Sequence, residues 1–300
     1  MFTRYFRSCK ARGLAEQTLR TYKEGLNFLE RFLTEQNIEL KDITSEDVNE
    51  LVLWLDDGKR SARTIQSHML SIRTFLYYEM EQGRIKKKFR IKINKGEEAV
   101  KEIYSDSEIE KLLKKPNIKK CSFSEYKVWV FENYLMGTGN RLNSVINIQI
   151  KDVNLDEGYL ILRQTKNKKQ QYVPLCSSLV DILDEYMEIR KGNEYDYLFC
   201  SSNGDKADRR TYQELVARYN RCRGVEKTSI HLFRHTFATV YIRNGGDIYR
   251  LSKLLGHSDV GITEHYIHTL PIDIMPNYDD NNPLEFYRNN SNSKKRIRMN

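Results

Sequence analysis

Residues 229–245 read SIHLFRHTFATVYIRNG, and their apolar side chains recur at helical spacing. Phe233, Phe237 and Tyr241 fall on one face of a helix, which predicts that this face packs against a core. At about 100° per residue, His231 and Arg234 lie together and well away from that face. An isolated His–Arg pair is most often a surface pair. The meaning of this one therefore depends on the segments around it.

Downstream, residues 255–268 read LGHSDVGITEHYIH and follow a second helical pattern whose expected end is Gly256. His257 therefore comes directly after a helix terminus. Tyr266 lies nine residues beyond His257, at a position that a further helical turn can carry. If these helices pack together, four polar side chains converge on one cleft: His231, Arg234, His257 and Tyr266.

This set of side chains suits one kind of phosphoryl chemistry. It contains no carboxylate cluster and no metal-ligand pattern, so it argues against two-metal hydrolysis and suits metal-free transesterification. Guanidinium groups can neutralise the charge that develops on phosphate oxygens, and a tyrosine hydroxyl can attack phosphorus to form a covalent intermediate. The chain has 19 tyrosines, and most tyrosines only pack, so the case for Tyr266 rests on the whole set. The chemistry also requires a second arginine and an acid for the leaving oxygen.

Both missing groups have candidates upstream. Arg141 follows a glycine-containing turn in GTGNRL, where a side chain can be directed into a cleft. Two strand-like segments, GYLILRQT and QQYVPL, predict a hairpin whose tip carries Lys166, Lys168 and Lys169. A lysine-rich hairpin tip is usually only a solvated turn. Before any comparison, each of the three lysines is therefore a candidate for the acid.

The whole chain predicts a mostly α protein with a small β-sheet, an α+β fold. In the first part, helical spacing over residues 14–36 and helix starts at Ser45, the expected N-cap, and Ser61 predict a small helical domain. In the second part, a helix is expected to end at Gly137, before the hairpin. The predicted boundaries are 1–83 for the helical domain, 84–103 for a basic linker, 104–285 for the second domain and 286–300 for a basic tail.

Composition is compatible with a polyanionic partner and excludes several classes of protein. The chain has 50 basic and 41 acidic residues, a net charge of +9, and seven basic residues without an acid in RIKKKFRIKINK at 84–95. Its longest apolar run is Leu51–Leu55, and its first residues lack a signal-peptide core, so no membrane association is expected. The five cysteines are odd in number and widely spaced, which predicts reduced thiols in a cytoplasmic protein.

Taken together, these motifs resemble the tyrosine recombinase (phage integrase) family, with a simple, Xer-like organisation. Arg141 in TGNR matches the family's first arginine, and Lys166 matches the lysine of its β-hairpin, eight residues before Pro174. HLFRH supplies His231 and Arg234, LLGH supplies His257, and HYIH supplies the nucleophile Tyr266 together with His268. The resemblance identifies six catalytic residues: Arg141, Lys166, His231, Arg234, His257 and Tyr266.

The resemblance implies a helical core-binding domain followed by a catalytic domain, together closed around double-stranded DNA. It also implies a 3′-phosphotyrosine intermediate without a cofactor, and a homotetramer on two paired sites. In related recombinases a C-terminal helix docks into the neighbouring protomer, and the apolar residues of NNPLEFYRNN, at 281–290, predict the same exchange here. The chain begins at the core-binding part, which favours a simple recombinase acting on short sites, in integration, excision or resolution of DNA elements.

Three positions depart from the family pattern. Ser144 stands where an acidic residue is usual, Asn140 where an aliphatic one is usual, and Gln171 where arginine is frequent. Two other functions share parts of the motif set. A type IB topoisomerase would use the same chemistry to relax supercoils as a monomer, and a catalytically idle DNA-binding protein would need no phenol at Tyr266. The complete set of six residues favours the recombinase.

Overall fold

A computed structural model describes residues 2–93, 102–163, 170–201, 203–257 and 263. It is mostly helical and has one small antiparallel sheet, as the sequence predicts. The chain divides into two units, Met1–Ala99 and Val100–Asn300. Within the part of the chain that is described, no helix combines the length and the hydropathy that crossing a bilayer requires.

Four helices and a short 3₁₀ turn build the first unit. The long helices α2 and α4 pack against each other, because Gly25 in α2 lets the two backbones approach: a Cβ at Gly25 would lie 2.8 Å from the Cβ of Ser71 in α4. The leucines that repeat along α2 are buried in this contact. The helices are α1 (Thr3–Ala11), α2 (Glu16–Glu35), α3 (Ser45–Leu55) and α4 (Ala62–Glu81), with the 3₁₀ turn at Leu40–Asp42.

The start of α3 differs by one residue from the sequence prediction. Ser45 is the first helical residue, and the N-cap is Thr44, which has extended backbone angles. The Thr44 hydroxyl accepts from the Asp47 backbone N–H at 3.3 Å, and the Asp47 carboxylate accepts from the Thr44 N–H at 2.8 Å. The prediction of Ser45 as N-cap was therefore wrong, because this reciprocal pair satisfies the free amides only from Thr44.

The first part of the basic segment 84–95 packs onto the first unit. Ile85 and Ile91 are buried in its core, and the Ile91 backbone N–H donates to the Tyr77 hydroxyl at 3.0 Å. Arg84 pairs with the buried carboxylate of Glu79 through two hydrogen bonds of 2.5 and 2.8 Å. The basic side chains of this segment thus extend from a backbone that apolar residues anchor. Residues 94–101 lie outside the described part.

The second unit is built around α6, which is buried on nearly all sides. A helix in this position shows little amphipathic periodicity, since several neighbours cover it. Even Lys127 and Glu132 are buried: the Lys127 ammonium donates to the Cys200 carbonyl at 2.6 Å, and burial raises the pKa of the Glu132 carboxyl well above its ordinary value. The helices are α5 (Asp106–Leu113), α6 (Phe123–Thr138), α7 (Leu142–Val145), α8 (Ser177–Arg190), α9 (Arg209–Cys222), α10 (Ile230–Arg243) and α11 (Ile248–Leu254), with a 3₁₀ turn at Ile150–Asp152.

The last residue of α6 is Thr138 and its C-cap is Gly139, two residues after the predicted end at Gly137, so that prediction was wrong. Gly137 is helical and lies against Leu179, whose Cδ2 would be 3.0 Å from a Cβ at this position. The residue that stops the helix is Gly139, which has a left-handed conformation with φ +61°. A Cβ at Gly139 would lie 2.4 Å from the Phe237 ring, so both the conformation and the close contact require glycine.

The two strands of the predicted hairpin are present and paired. Strands β2 (Tyr159–Leu162) and β3 (Gln171–Pro174) pair antiparallel, with Leu162 opposite Gln171. A two-residue strand, β1 (Val153–Asn154), adds to the other edge of β2. β1 was not predicted, because two residues are too few to show an alternating pattern.

Candidate active site

Two of the predicted arginines meet at one backbone carbonyl. The carbonyl oxygen of Leu255, directly after α11, accepts from Nη2 of Arg234 at 2.9 Å and from Nη1 of Arg141 at 3.3 Å. Arg234 comes from α10, and Arg141 from the turn before α7. Along the chain, Leu255 is 21 residues from Arg234 and 114 residues from Arg141. Only tertiary packing therefore brings the two guanidinium groups together.

Arg234 is a nearly buried cation, with 6% of its surface exposed. A buried charge requires compensating partners, and the Arg234 guanidinium has three of them among the described residues. Nη1 donates to the Gly139 carbonyl at 2.9 Å, and Nη2 donates to Leu255 and lies 2.7 Å from Nε2 of His257. Because these partners fix the guanidinium plane, Arg234 is held in one orientation before any substrate binds.

A polar network supports the turn that carries Arg141. Asn140 is buried, and its side-chain amide donates to the hydroxyl of Tyr134 at 2.8 Å. Asn140, where the family usually has an aliphatic residue, therefore adds a hydrogen bond that stabilises the turn before Arg141. Ser144 is a second position that departs from the family pattern. Its backbone N–H donates to the Arg141 carbonyl at 2.8 Å as part of the first turn of α7. Arg141 thus finds a described partner in the Leu255 carbonyl, although Ser144 replaces the usual acid.

His257 is placed by a tight turn after α11. Gly256 has φ +62°, and the His257 backbone N–H reaches back to the Ser252 carbonyl at 3.0 Å. Its ring bridges Arg234 and the buried Thr263, whose hydroxyl is 2.7 Å from Nδ1. A guanidinium can only donate, so Nε2 must accept and the ring proton lies on Nδ1. The contacts therefore select the neutral Nδ1–H form of His257.

His231 lies one turn before Arg234 on α10 and reaches solvent. Desolvation of the ring, followed by the positive charges of Arg234, Arg209 and Arg141, lowers its pKa below the ordinary value of 6.5. His231 is therefore neutral at neutral pH and able to accept a proton.

Arg209 was not predicted as part of this site. It is the first residue of α9 and faces His231 closely enough to affect the pKa of that ring. In the sequence, Arg209 is recognisable only as the residue that follows the N-cap Asp208. That position does not indicate that its side chain lies near the cleft.

The structure thus groups Arg141, His231, Arg234 and His257. Two of the predicted catalytic residues, Lys166 and Tyr266, lie outside the described residues, as do Lys168, Lys169 and His268. Among the residues that are described, no three His, Cys, Asp or Glu side chains form a metal-binding group.

Comparisons with known proteins cover both units. The model of the phage integrase family matches residues 102–271, and that of the phage integrase N-terminal SAM-like domain matches residues 2–83. Tyrosine recombinase XerD of Staphylococcus haemolyticus (strain JCSC1435) is 28% identical over 281 residues, which are 91% of this chain and 94% of the relative. Tyrosine recombinase XerD of Oceanobacillus iheyensis is 27% identical over 283 residues, again 91% and 94%.

Two solved structures show the same fold. The XerH site-specific recombinase bound to palindromic difH substrate, a post-cleavage complex, has a TM-score of 0.69 and 22% identity, over 87% of this chain and 79% of that chain. A lambda integrase(75-356) dimer bound to a COC′ core site also has a TM-score of 0.69, with 19% identity over 86% of this chain and 94% of that chain.

Proposed function

The chain belongs to the phage integrase family and is a tyrosine recombinase that catalyses site-specific DNA recombination, and from this premise we propose how its residues share the chemistry. The observation that carries the proposal is the meeting of Arg141 and Arg234 at the Leu255 carbonyl, beside His257. Two fixed guanidinium groups can bind both non-bridging oxygens of one phosphate. The nucleophile then needs to reach the same phosphate, and Tyr266 follows His257 by nine residues.

In the proposed reaction, the Tyr266 hydroxyl oxygen attacks phosphorus and the bond from phosphorus to the 5′ oxygen breaks. His231 accepts the tyrosine proton, and its lowered pKa keeps the ring in the neutral form that can accept one. Lys166 protonates the departing 5′ oxygen. Arg141 and Arg234 stabilise the charge on the phosphoryl oxygens, and His257 holds the Arg234 guanidinium in place. The products are a 3′-phosphotyrosyl bond and a free 5′-hydroxyl. A 5′-hydroxyl from the partner DNA reverses these steps and rejoins the strands.

Covalent trapping tests this function directly. The probe is a duplex made from the DNA that flanks the gene, nicked so that the short cleaved piece diffuses away and religation fails. We expect a protein–DNA adduct that survives denaturation and is lost on protease treatment. A wild-type protein that binds such duplexes but forms no adduct on any of them would contradict the proposal.

Lys166 as the general acid predicts a chemical rescue. Lys166→Ala should lower cleavage of ordinary DNA by about 100-fold or more, in the range of general acid catalysis. A substrate with sulfur at the 5′ bridging position has a leaving group that needs no protonation, so it should restore cleavage. Lys168→Ala and Lys169→Ala are the matched controls and should cleave ordinary DNA at the normal rate. Rescue in one of these controls instead would assign the acid to another hairpin lysine.

The comparisons do not favour the two alternatives, a type IB topoisomerase and an idle DNA-binding protein. Both curated relatives are recombinases by name, and they align over nearly their whole length. DNA is the partner of the solved relatives with this fold. We propose that this chain likewise acts on double-stranded DNA, as a homotetramer on two paired sites, and works in the cytoplasm, where such DNA is accessible.

The exchange of a C-terminal segment between protomers is part of this proposal. Residues 281–300 lie outside the described residues, and the proposal rests on the apolar cluster that their sequence carries. Deleting them should leave half-site binding nearly intact, apart from a weaker salt-dependent component from the lost basic residues. The deletion should abolish strand exchange and cooperative occupancy of the full site in gel-shift and recombination assays. Normal assembly and recombination by the shortened protein would overturn the exchange.

A further inference from the structure

The last turn of α11 contacts side chains from three other elements. We call Lys253–His257 the α11 turn. Its Leu255 carbonyl accepts from the two arginines described above. The two preceding carbonyls are bound by one amide: Nε2 of Gln171, the first residue of β3, donates to Leu254 at 2.6 Å and to Lys253 at 3.2 Å. The consecutive carbonyls of Lys253, Leu254 and Leu255 therefore accept hydrogen bonds from Gln171 of β3 and from both arginines.

These contacts matter because helix ends are intrinsically weak. The last carbonyls of a helix have no partner within it, and α11 has only seven residues. Gln171 supplies a donor to the Leu254 carbonyl from outside the helix and a second donor to the Lys253 carbonyl, which also accepts from the Gly256 backbone N–H at 3.0 Å. Its amide also lies over Gly256: a Cβ on that glycine would be 2.6 Å from the Gln171 Oε1. Gln171 thus contacts the helix end and the turn that leads to His257.

We propose that Gln171 is a positioning residue for strand cleavage, acting through the α11 turn. By holding Lys253 and Leu254, it fixes the carbonyl of Leu255 and the ring of His257 at the distances that Arg141 and Arg234 require. Gln171 itself touches no reacting group. The inference rests on the proposed roles of Arg141 and Arg234 at the phosphate and of His257 beside Arg234.

The chemistry of the side chain supports this role. Both contacts use the donor end of the amide, and a carbonyl pair needs only N–H donors. An arginine, which is frequent at this position in the family that the sequence resembles, also supplies several N–H donors. The departure at Gln171 therefore keeps the donor function while changing the group that carries it.

The first test removes the donor and keeps the volume. Gln171→Met should lower the rate of covalent adduct formation by about 10- to 100-fold, since small displacements of a catalytic constellation have effects of this size. Half-site binding should stay at the wild-type level. Gln171→Arg should retain most of the cleavage rate. The matched control is Gln149→Met, because the Gln149 amide also donates to a backbone carbonyl, that of Tyr195 at 2.8 Å, in a separate part of the unit.

The second test asks which catalytic group has lost its position. A methylphosphonate at the scissile site replaces a charged oxygen with methyl, so cleavage depends less on the arginines. The defect of Gln171→Met relative to wild type should shrink on this substrate. It should persist on the 5′-sulfur substrate, which relieves only the need for an acid.

The outcomes separate this inference from the proposed function. Wild-type cleavage by Gln171→Met, an equal defect in Gln149→Met, or rescue by the 5′-sulfur substrate alone would overturn the role of Gln171, while wild-type adduct formation would still support the function. Absence of any wild-type adduct would reject the function itself. If Gln171→Met melts below the assay temperature, Gln171→Glu replaces it, because this variant keeps the shape and replaces the donor with a repelling oxygen. Wild-type cleavage by Gln171→Glu would then overturn the inference.

Discussion

Tyr266→Phe should bind recombination-site DNA normally and form no covalent adduct. The substitution removes one oxygen, the proposed nucleophile, and keeps the aromatic ring, so folding and DNA affinity should be unchanged. Adduct formation should fall below detection, because no second hydroxyl is proposed at the scissile phosphate. The measurement is denaturing electrophoresis of protein incubated with the nicked duplex, with a gel shift of the same sample to measure binding.

The matched control for this variant is Tyr249→Phe. Tyr249 belongs to α11 and is 57% exposed, so the same atom is removed from the same unit at a solvent-facing ring. This control should form adduct at the wild-type rate. Adduct at normal levels in Tyr266→Phe, or its loss in Tyr249→Phe, would move the nucleophile to another tyrosine.

Arg234→Lys should lower the cleavage rate by about 100- to 1000-fold, the range seen when one donor to a developing oxyanion is removed. Lysine keeps the charge, but one ammonium cannot bond the Gly139 and Leu255 carbonyls, contact His257 and bind a phosphate in the plane that the guanidinium defines. Arg141→Lys should lower cleavage to a similar extent, because it loses the same fork geometry beside Leu255. DNA binding should change little in either variant, since other basic residues dominate the affinity.

The control for the arginine variants is Arg243→Lys. Arg243 lies on the same helix as Arg234, but its guanidinium pairs with the exposed Asp106 at 3.0 Å. This variant should cleave normally. Single-turnover cleavage on saturating DNA, together with melting curves to exclude unfolding at the buried Arg234, measures the effect. If binding and cleavage fall by equal factors, the arginines only anchor DNA.

Much of the fold was predictable from local patterns. The helical spacing in α2, the helix start near Ser61 and the two strand-like segments are each set by residues close in sequence, and the structure confirms them. The errors at Ser45 and Gly137 are also local in scale. Each predicted helix end is displaced by one or two residues. Thr44 caps the start of α3 in place of Ser45, and Gly139 stops α6 in place of Gly137.

The site was predictable as a set of residue types but not as a geometry. The spacing of HLFRH and LLGH pointed to His231, Arg234 and His257, and the structure groups them with Arg141. Their catalytic roles, and those of Lys166 and Tyr266, stay predictions. The contact of Asn140 with Tyr134 and the effect of Arg209 on His231 were not predictable from the sequence, because each depends on a partner in another element.

The sequence by itself determined which residues can carry the chemistry, since nucleophile, acid and guanidinium groups are properties of side chains and their order along the chain. Only the tertiary structure decided how they are held. The Leu255 carbonyl joins residues that are 21 and 114 positions away, and Gln171 reaches α11 across 82 and 83 positions. A sequence pattern cannot single out one backbone carbonyl, because every residue has one. Which carbonyls remain unpaired and face a cleft is decided by where a short helix ends and what packs against it.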